Sequence, residues 1–295
     1  MTASGQPHAS VAIVVLAHNE QRRIGLCLAS LPCDDPDYAI HVVVNGSSDG
    51  TAAIVAQAAA RHSNLTLYDW AEPGKSRSWN RIVLGTLAAG FETVILVDGD
   101  AIVADGSFDA LRAALAAHPE ARAASAMPLN GRHVAHYRQL MLDTHGIFGD
   151  LYALRGTFID RMRDCGIRLP NDLIGDDGLV GALAKTNLGP LADWTENGIY
   201  PTVDAGFLCE PLAVADWRSW RMQYRRMINY AVRHFQDRII TDILRRDGPA
   251  GLPTQLATLY PAYITQFRPR RGVWAWFDRC ALARMGHQMN AMVSG

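Results

Sequence analysis

The sequence predicts an α/β fold: a mostly parallel central sheet flanked by helices, followed by a helical C-terminal extension. Short β-branched runs alternate with alanine-rich stretches over positions 11–130. These runs lack the apolar–polar alternation of a half-exposed strand, so they are expected to be buried on both faces, as in parallel sheets covered by helices. Polar residues also gather where the apolar runs end.

The elements alternate regularly along this part of the chain. The predicted strands cover 11–16, 40–44, 65–68 and 93–97, and the predicted helices cover 20–31, 49–62 and 76–89. Asp49 is expected to cap the second helix, because aspartate is among the preferred N-cap residues.

Composition limits the classes of function. The 295 residues are 49% hydrophobic, enough to bury a large core. The net charge is −1, but from position 217 onward there are 13 Arg and 4 Asp, a local charge of +9 that leaves −10 on positions 1–216. We expect no nucleic-acid partner, because no recognition motif accompanies the basic segment. The five cysteines form no CxxC pair, which indicates neither a disulfide framework nor a zinc site and fits a reducing cytoplasm.

Polar groups follow three of the predicted strands. His18, Asn19 and Glu20 follow the first, 45–49 follow the second, and Asp98-Gly99-Asp100 follows the last. The carboxyl ends of parallel strands share one edge of the sheet, where open α/β sheets bind their ligands. The sequence therefore predicts a single ligand site there.

Asp98-Gly99-Asp100 is the candidate metal site. Two carboxylates one small residue apart, after an apolar strand, suit a hard divalent cation, which prefers oxygen ligands and keeps positions for phosphate and water. The alternative is an Asp-Gly-Asp turn that caps a helix, and the tripeptide alone favours that turn, because short motifs often match by chance.

Four segments in sequence order resemble glycosyltransferase family 2, whose nucleotide-binding domain has the GT-A fold. They are VVLAHNE at 14–20, VVVNGSSDGT at 42–51, GKSRSWN at 74–80, and Asp98-Gly99-Asp100, which stands where the family carries its metal-binding DxD. The chain departs from the family pattern at Leu16 and His18 in the first segment. In the second, Val44 and Asn45 replace two aspartates.

The resemblance implies an inverting enzyme. It would move a sugar from a nucleotide-diphosphate sugar to a hydroxyl acceptor (a saccharide, a lipid-linked or a small molecule) by metal-assisted direct displacement. Mn²⁺ or Mg²⁺ would be held by Asp100 with Asp98. The implied nucleotide-sugar-binding residues are Ala17, Asn19, Glu20, Asn45, Asp49, Lys75, Asn80, Asp98 and Gly99. As alternatives, Asp49 only caps its helix and Asn45 only serves a left-handed turn.

The second half of the chain carries the acceptor chemistry in this interpretation. Segment 149–155 resembles the family's GxxxAxR stretch, making Gly149 and Arg155 candidates for acceptor or diphosphate contacts. Asp176-Asp177, before an apolar helix, resembles the family's acid pair, in which the second acid is the general base. The alternatives are that the pair only caps the helix, or that Asp172 is the base.

Segment 223–227, QYRRM, resembles the QxxRW motif with Met227 in place of tryptophan. Gln223, Arg225 and Arg226 are therefore candidates for contact with the diphosphate. The alternative is an amphipathic helix with solvated arginines.

The C-terminal tail fits two environments, a membrane interface and the surface of the catalytic domain. Segment 267–285 mixes arginines with Trp274, Trp276 and Phe277, as do segments that lie in anionic membrane interfaces, but it can equally pack on the catalytic domain. No apolar run approaches the roughly 20 residues that span a bilayer. We expect a cytoplasmic protein, at most bound to the inner face of the membrane.

The chain is expected to divide into four parts: a disordered N-terminus (1–10), a nucleotide-sugar-binding half (11–130), an acceptor-binding half of the same domain (131–216) and a basic helical extension (217–295). Two further functions compete with sugar transfer. A sugar-nucleotide pyrophosphorylase would need a glycine-rich loop where this chain has Ala-His-Asn-Glu. A non-catalytic nucleotide-binding relative would have no need of the four aspartates 98, 100, 176 and 177.

Overall fold

The structure, a computed structural model, describes residues 9–209 and 217–293, so the predicted disordered N-terminus lies almost wholly outside the described residues. Within those ranges, eight strands form one sheet: β1 (Val11–Ala17), β2 (Tyr38–Asn45), β3 (Leu65–Trp70), β4 (Thr93–Asp98), β5 (Ile102–Val103), β6 (Ala123–Pro128), β7 (Leu151–Arg155) and β8 (Ile199–Leu208). Their order across the sheet is β3-β2-β1-β4-β7-β6-β8-β5.

The sheet is mostly parallel, as predicted. β1, β2, β3 and β4 run in one direction, and β6 and β8 are parallel to each other. β7 is antiparallel to both β4 and β6, and β5 is antiparallel to β8. Because β7 lies between β4 and β6, the sheet continues across the predicted division near position 130. The division into nucleotide and acceptor halves stays a prediction.

Ten α-helices lie in the described ranges: α1 (Ile24–Ala29), α2 (Thr51–Ala59), α3 (Lys75–Trp79), α4 (Ser107–Ala117), α5 (Val134–Thr144), α6 (Gly156–Asp164), α7 (Asp176–Lys185), α8 (Trp217–Arg246), α9 (Tyr260–Tyr263) and α10 (Trp274–Val293). A π-helical segment, Asn80–Thr86, continues α3. The first helix begins later than predicted, at Ile24 instead of Glu20. The backbone N–H groups of Glu20 and Gln21 donate instead to the side chains of Thr51 and Asp49, which ties this turn to the β2–α2 loop.

The two faces of the sheet carry two apolar layers. Alternate residues of β1 point to opposite sides: Val11, Ile13 and Val15 pack with α1, α2 and α4. Ala12, Val14 and Leu16 belong to the other layer, which includes the π-helical segment, α6 and α7. Burial on both faces explains why these strands are continuous apolar runs in the sequence.

The C-terminal extension is helical, as predicted, and packs against the second layer. Phe235 and Ile239 of α8 and Met285 of α10 are fully buried in the same apolar cluster as Leu179 and Val180 of α7. The extension is thereby packed beside the helix that begins with the Asp176-Asp177 pair. None of the described helices has the length and hydropathy needed to cross a membrane.

Candidate active site

The Asp98-Gly99-Asp100 turn lies at the carboxyl end of β4, against the end of β1. The Gly99 N–H donates to the Leu16 carbonyl oxygen at 2.9 Å. A Cβ atom at Gly99 would lie 2.7 Å from the Ala17 Cβ, closer than real Cβ contacts allow. Glycine therefore lets the turn approach β1 closely, with one aspartate on each side of it. This places the predicted residues Ala17 and Gly99 in the wall of the site.

Asp150 supplies a third carboxylate, which the sequence analysis missed. The antiparallel strand β7 begins beside the end of β4, and the Asp98 N–H donates to the Asp150 carbonyl oxygen at 3.0 Å. One carboxylate oxygen from each of Asp98, Asp100 and Asp150 lies within 4.8 Å of the other two. The signal in the sequence was an acid directly before an apolar run able to pair with β4.

These three carboxylates fit a divalent cation. All three offer oxygen atoms, the donors that Mg²⁺ and Mn²⁺ prefer. Burial, and then the charge of Asp100, raise the pKa of Asp150. Both causes disfavour the ionised form of this carboxyl group, because it is removed from water and placed next to another negative charge. A bound cation would relieve this repulsion.

Two basic side chains border the acidic cluster. The Lys75 Nζ lies 2.7 Å from the Asp98 Oδ1 and 3.6 Å from the Asp176 Oδ1. Arg23, missed by the sequence analysis, lies 3.2 Å from the Asp100 Oδ2 through its Nη1 and 2.8 Å from the Glu20 Oε2 through its Nε. Burial, and then Asp100, raise the pKa of Glu20 to about 7. Glu20 and Lys75 thus lie beside the acidic cluster, and their contacts with a nucleotide sugar stay predictions.

Asn45 ties the strand ends together. Its side chain is buried; the Nδ2 donates to the Ala17 carbonyl oxygen at 3.0 Å, and the Oδ1 accepts from the Gly74 N–H at 3.2 Å. Asn45 thereby joins β1 to the residue before α3, so both ends of its amide are occupied by structural contacts.

Asn19 and Asp49 shape the loops beside Asn45. Asn19 has a positive φ of 56°, and its Oδ1 accepts from the Ser48 N–H at 2.9 Å. Asp49 is exposed and accepts from the N–H of Thr51, the first residue of α2. The contacts of Asn19, Asn45 and Asp49 with a nucleotide stay predictions.

Two predicted site residues are not brought to this centre. Asn80 is buried, with its Nδ2 donating to the Leu169 carbonyl oxygen at 2.7 Å and its Oδ1 accepting the Leu169 N–H at 3.0 Å. Arg155 pairs with Thr93 at the opposite end of β4, about 17 Å from Asp98 at the usual rise of a strand. Asn80 therefore holds the loop before α7, and Arg155 belongs to the other edge of the sheet.

The guanidinium of Arg155 has a structural role. It donates to the backbone carbonyl oxygens of Ala121 (3.0 Å), Leu115 (2.5 Å) and His118 (2.9 Å), at the end of α4 and in the loop that follows. The physical reason for this correction is strand direction: β7 is antiparallel to β4, so its carboxyl end points away from the carboxyl end of β4.

The Asp176-Asp177 pair forms the first turn of α7, after Gly175 with a positive φ of 86°. Asp176 is buried beside Lys75. A Cβ atom at Gly149 would lie 3.4 Å from the Lys75 Nζ and 3.5 Å from the Asp177 Cβ. The chain therefore folds the acid pair, Gly149 and the Asp98–Lys75 ion pair into one site, although Asp177 is far from Asp98 in the sequence.

Arg233 of α8 holds Asp177 by two contacts. Its Nη1 lies 3.1 Å from the Asp177 Oδ1, and its Nη2 lies 3.3 Å from the Oδ2. A Cβ atom at Gly175 or at Gly178 would come within 2.5 or 2.9 Å of the Arg233 side chain, so this side chain lies against a glycine-lined turn. No motif in the sequence pointed to Arg233, because its role depends on how α8 packs.

Asp172, the competing base, has a different role. Its two carboxylate oxygens accept the backbone N–H groups of Leu256 and Ala257, at 2.7 and 2.9 Å. These bonds fix the short 3₁₀ turn Leu256–Leu259 in the extension. Asp172 is therefore committed to the backbone, whereas Asp177 faces the shared site.

The QYRRM segment lies in α8, and its two arginines differ. Arg225 is exposed. Arg226 lies close enough to Glu20 to counteract the rise in its pKa that burial and Asp100 cause. Gln223 carries a buried Oε1 that no described residue hydrogen-bonds. Arg226 is thus the arginine of this segment whose charge acts on Glu20 at the acidic centre.

Comparison with known proteins identifies a family for most of the chain. The sequence model of the glycosyltransferase-like family 2 matches residues 7–187. No curated protein matches the chain by sequence.

Solved structures share the fold. The mannosyltransferase PcManGT from Pyrobaculum calidifontis, in complex with GDP-Man and Mn²⁺, is 21% identical, with a TM-score of 0.57 over 95% of this chain and 87% of that chain. S. aureus TarS is 18% identical, with a TM-score of 0.52 over 76% of this chain, which spans only 43% of TarS. Glucosyl-3-phosphoglycerate synthase from Mycobacterium tuberculosis, in complex with Mn²⁺, UDP-Glc and phosphoglyceric acid, is 15% identical, with a TM-score of 0.51 over 82% of this chain and 80% of that chain.

Proposed function

The chain belongs to the glycosyltransferase-like family 2, and we propose that it transfers a sugar from a nucleotide-diphosphate sugar to a hydroxyl acceptor with inversion at the anomeric carbon. It is a nucleotide-sugar-dependent glycosyltransferase, so the pyrophosphorylase and the non-catalytic relative are set aside. One observation carries the proposed mechanism. Lys75 joins a cluster of three carboxylates to a separate acid pair, through Asp98 on one side and Asp176 on the other, with Gly149 beside it.

The metal requirement rests on the three-carboxylate cluster. Asp98, Asp100 and Asp150 would hold Mn²⁺ or Mg²⁺, and a cation held there supplies Lewis-acid stabilisation of the negative charge on the departing nucleoside diphosphate. Mn²⁺ is present in the solved structures of the mannosyltransferase and of the glucosyl-3-phosphoglycerate synthase. In this chain Arg23 contacts Asp100, so it would help to set the position of that carboxylate.

Asp177 is the proposed general base. The acceptor oxygen attacks the anomeric carbon while Asp177 takes the hydroxyl proton, and the bond from that carbon to the diphosphate oxygen breaks. A single displacement of this kind inverts the configuration. Arg233 is the proposed positioning residue: its two contacts fix the orientation of the Asp177 carboxylate. Asp176, buried beside Lys75, would act through that lysine.

Lys75 and Arg226 are the proposed cations for the leaving group. Lys75 already lies between Asp98 and Asp176. Arg226 is close to Glu20, on the same side as the acidic cluster. Preorganised positive groups lower the barrier by stabilising charge as it develops in the transition state. The acceptor stays in the predicted class, a saccharide, a lipid-linked or a small hydroxyl compound, and the cytoplasmic location stays a prediction.

A ligand-binding experiment tests this function. The melting temperature is measured with a panel of nucleoside diphosphates and nucleotide sugars, each with and without Mn²⁺, because a ligand that binds the native state must raise it. We expect a rise that needs both nucleotide and metal. We also expect the nucleoside diphosphate to be released when acceptor is added.

Asp100→Ala provides the matched test of the metal. The variant should lose the metal-dependent rise and, if cation binding contributes about 3 kcal/mol to donor affinity, bind the nucleoside diphosphate roughly 150-fold more weakly by calorimetry. Asp105→Ala, which changes an exposed acid in the loop before α4, should behave like the wild type. Undiminished nucleotide binding in EDTA would remove the metal from the proposal.

A further inference from the structure

The C-terminal extension carries an exposed apolar surface, the aromatic patch, formed by Trp220, Tyr224, Val273 and Trp276. Their exposed fractions are 64%, 43%, 70% and 59%. The Trp276 Nε1 donates to the Tyr224 hydroxyl at 3.2 Å, which joins α8 to α10 at this point. Trp220 lies one helical turn before Tyr224 on α8, and Val273 directly precedes α10, three residues before Trp276. The four exposed side chains therefore belong to the part of the extension where α8 meets the start of α10.

The patch is bordered by arginines that no acid of the described ranges neutralises. In the described part of the chain, no acid lies within ion-pair distance of the exposed Arg221, Arg225, Arg271 or Arg279. Arg221 and Arg225 directly follow Trp220 and Tyr224, and Arg279 lies one turn after Trp276. We name these four residues the arginine border.

The four acids of the extension are already engaged elsewhere. Asp237 pairs with Arg233, Asp242 accepts from the Tyr263 hydroxyl, Asp247 pairs with Arg246, and Asp278 pairs with Arg270. The four arginines of the border therefore keep their positive charge at the surface, next to the exposed rings. Indole rings next to unpaired arginines match the headgroup layer of a bilayer that contains anionic lipids.

We propose that the aromatic patch and the arginine border dock this enzyme on an anionic membrane surface, so that the acceptor hydroxyl is carried by a lipid or a lipid-linked molecule. Val273, the most exposed of the four, is aliphatic, so it cannot stack on a nucleobase. An aliphatic side chain suits the boundary between the lipid headgroups and the acyl chains. This inference rests on the proposed function for the identity of the acceptor. The link is α8 itself, because the charge of Arg226, the residue after Arg225 of the border, acts on Glu20 at the acidic centre.

Sedimentation with vesicles tests the proposal. The full chain is mixed with vesicles of phosphatidylglycerol and phosphatidylcholine in a one-to-two mixture, or of phosphatidylcholine alone, at low and high salt. We expect binding only with the anionic vesicles, weakened by salt. Each of Arg221→Gln, Arg225→Gln, Arg271→Gln and Arg279→Gln should weaken binding roughly fivefold at low salt. The double variant Trp220→Ser with Trp276→Ser should reduce it further, and Trp194→Ser, an exposed indole outside the extension, should not.

The outcomes separate this inference from the proposed function. If the wild type stays in the supernatant at low salt, or sediments equally with neutral vesicles, the membrane inference is overturned. A patch that binds a labelled single-stranded oligonucleotide but no vesicle also overturns it. The melting-temperature rise with nucleotide and Mn²⁺ should match the wild type in Arg221→Gln, Arg271→Gln, Arg279→Gln and the double tryptophan variant. If that rise is absent while vesicle binding holds, the proposed function fails and the membrane surface stands.

Discussion

Two regions of opposite charge build this site in different ways. The sheet edge, with Asp98, Asp100 and Asp150, belongs to a part of the chain that carries −10, whereas positions 217–295 carry +9. Asp98 and Asp100 stand at the end of β4, and Asp150 stands before β7, whose antiparallel start lies beside that end. Arg226 and Arg233 reach the same centre only because α8 packs beside α7. Asp98 and Asp100 therefore follow from the end of one strand, whereas Asp150 and the two arginines of α8 follow from how distant segments pair and pack.

The sharpest test of the acidic region is Asp177→Asn, which keeps the shape of the side chain and removes its basicity. Turnover should fall by roughly 10²- to 10⁴-fold, the usual contribution of a general base. The dissociation constant of the nucleoside diphosphate with Mn²⁺ should stay within about threefold, since the proposed partner of Asp177 is the acceptor hydroxyl. Steady-state kinetics and calorimetry on the same preparation check both values.

Asp172→Asn and Asp176→Asn serve as comparisons for Asp177. Asp172→Asn should lower stability, because Asp172 accepts two backbone N–H groups in the extension. Asp176→Asn should reduce turnover less than Asp177→Asn does. An inactive Asp176→Asn beside a fully active Asp177→Asn would move the base to Asp176. Full activity in all three variants would remove the general-base mechanism.

Strand ends were predictable from sequence, and strand direction in the second half was not. The runs that became β1 to β4 are mainly apolar and β-branched, so their ends, including Asp98 and Asp100, could be located closely. β7 is apolar in the same way, but nothing in its short sequence tells that it runs antiparallel to β4. That direction brings Asp150 to the site and takes Arg155 away from it. Arg233 needed the packing of α8, a helix far from Asp177 in the sequence, which no local pattern encodes.

Arg155→Ala tests the opposite edge of the sheet. Because the guanidinium makes three hydrogen bonds to carbonyl oxygens at and after the end of α4, we expect a loss of about 2–4 kcal/mol in the free energy of unfolding. This corresponds to a fall of roughly 5–10 °C in melting temperature. Turnover at a temperature where the variant is folded should match the wild type. Arg132→Ala, an exposed arginine, is the control; a tenfold loss of turnover in Arg155→Ala would return this residue to the site.

Arg233→Met and Arg233→Lys test the contact between the two regions. If Arg233 orients Asp177, the methionine variant should lose roughly 10- to 100-fold in kcat, the equivalent of one charge-assisted hydrogen-bonded pair. The KM for the donor should hardly change. Lysine should restore part of kcat, because it keeps the charge but not the two-point geometry. Arg245→Met, near the far end of α8, is the control. Equal losses in both Arg233 variants, matched by a fall in melting temperature, would mean that Arg233 only packs.

The smallest expected effect concerns Asp237, the other partner of Arg233, at 3.9 Å. Burial raises the pKa of Asp237 to about 6, and the charge of Arg233 acts in the opposite direction. The native state therefore binds this proton more tightly than the unfolded chain does, so this contribution to stability is present below about pH 4 and is lost as the pH rises to 6. Asp237→Asn removes that dependence.

The melting temperature of Asp237→Asn minus that of the wild type should therefore increase from pH 4 to pH 6 and stay constant above pH 6. The side chain is 52% exposed, so solvent screening should hold the effect well under about 1 kcal/mol, or about 2 °C. Turnover should be unchanged, since Arg233 keeps both contacts with Asp177. A melting-temperature difference that is the same at pH 4.5 and pH 7.5 would show that this carboxylate titrates normally. A loss of kcat comparable to that of Arg233→Met would instead make Asp237 part of the arrangement that orients the base.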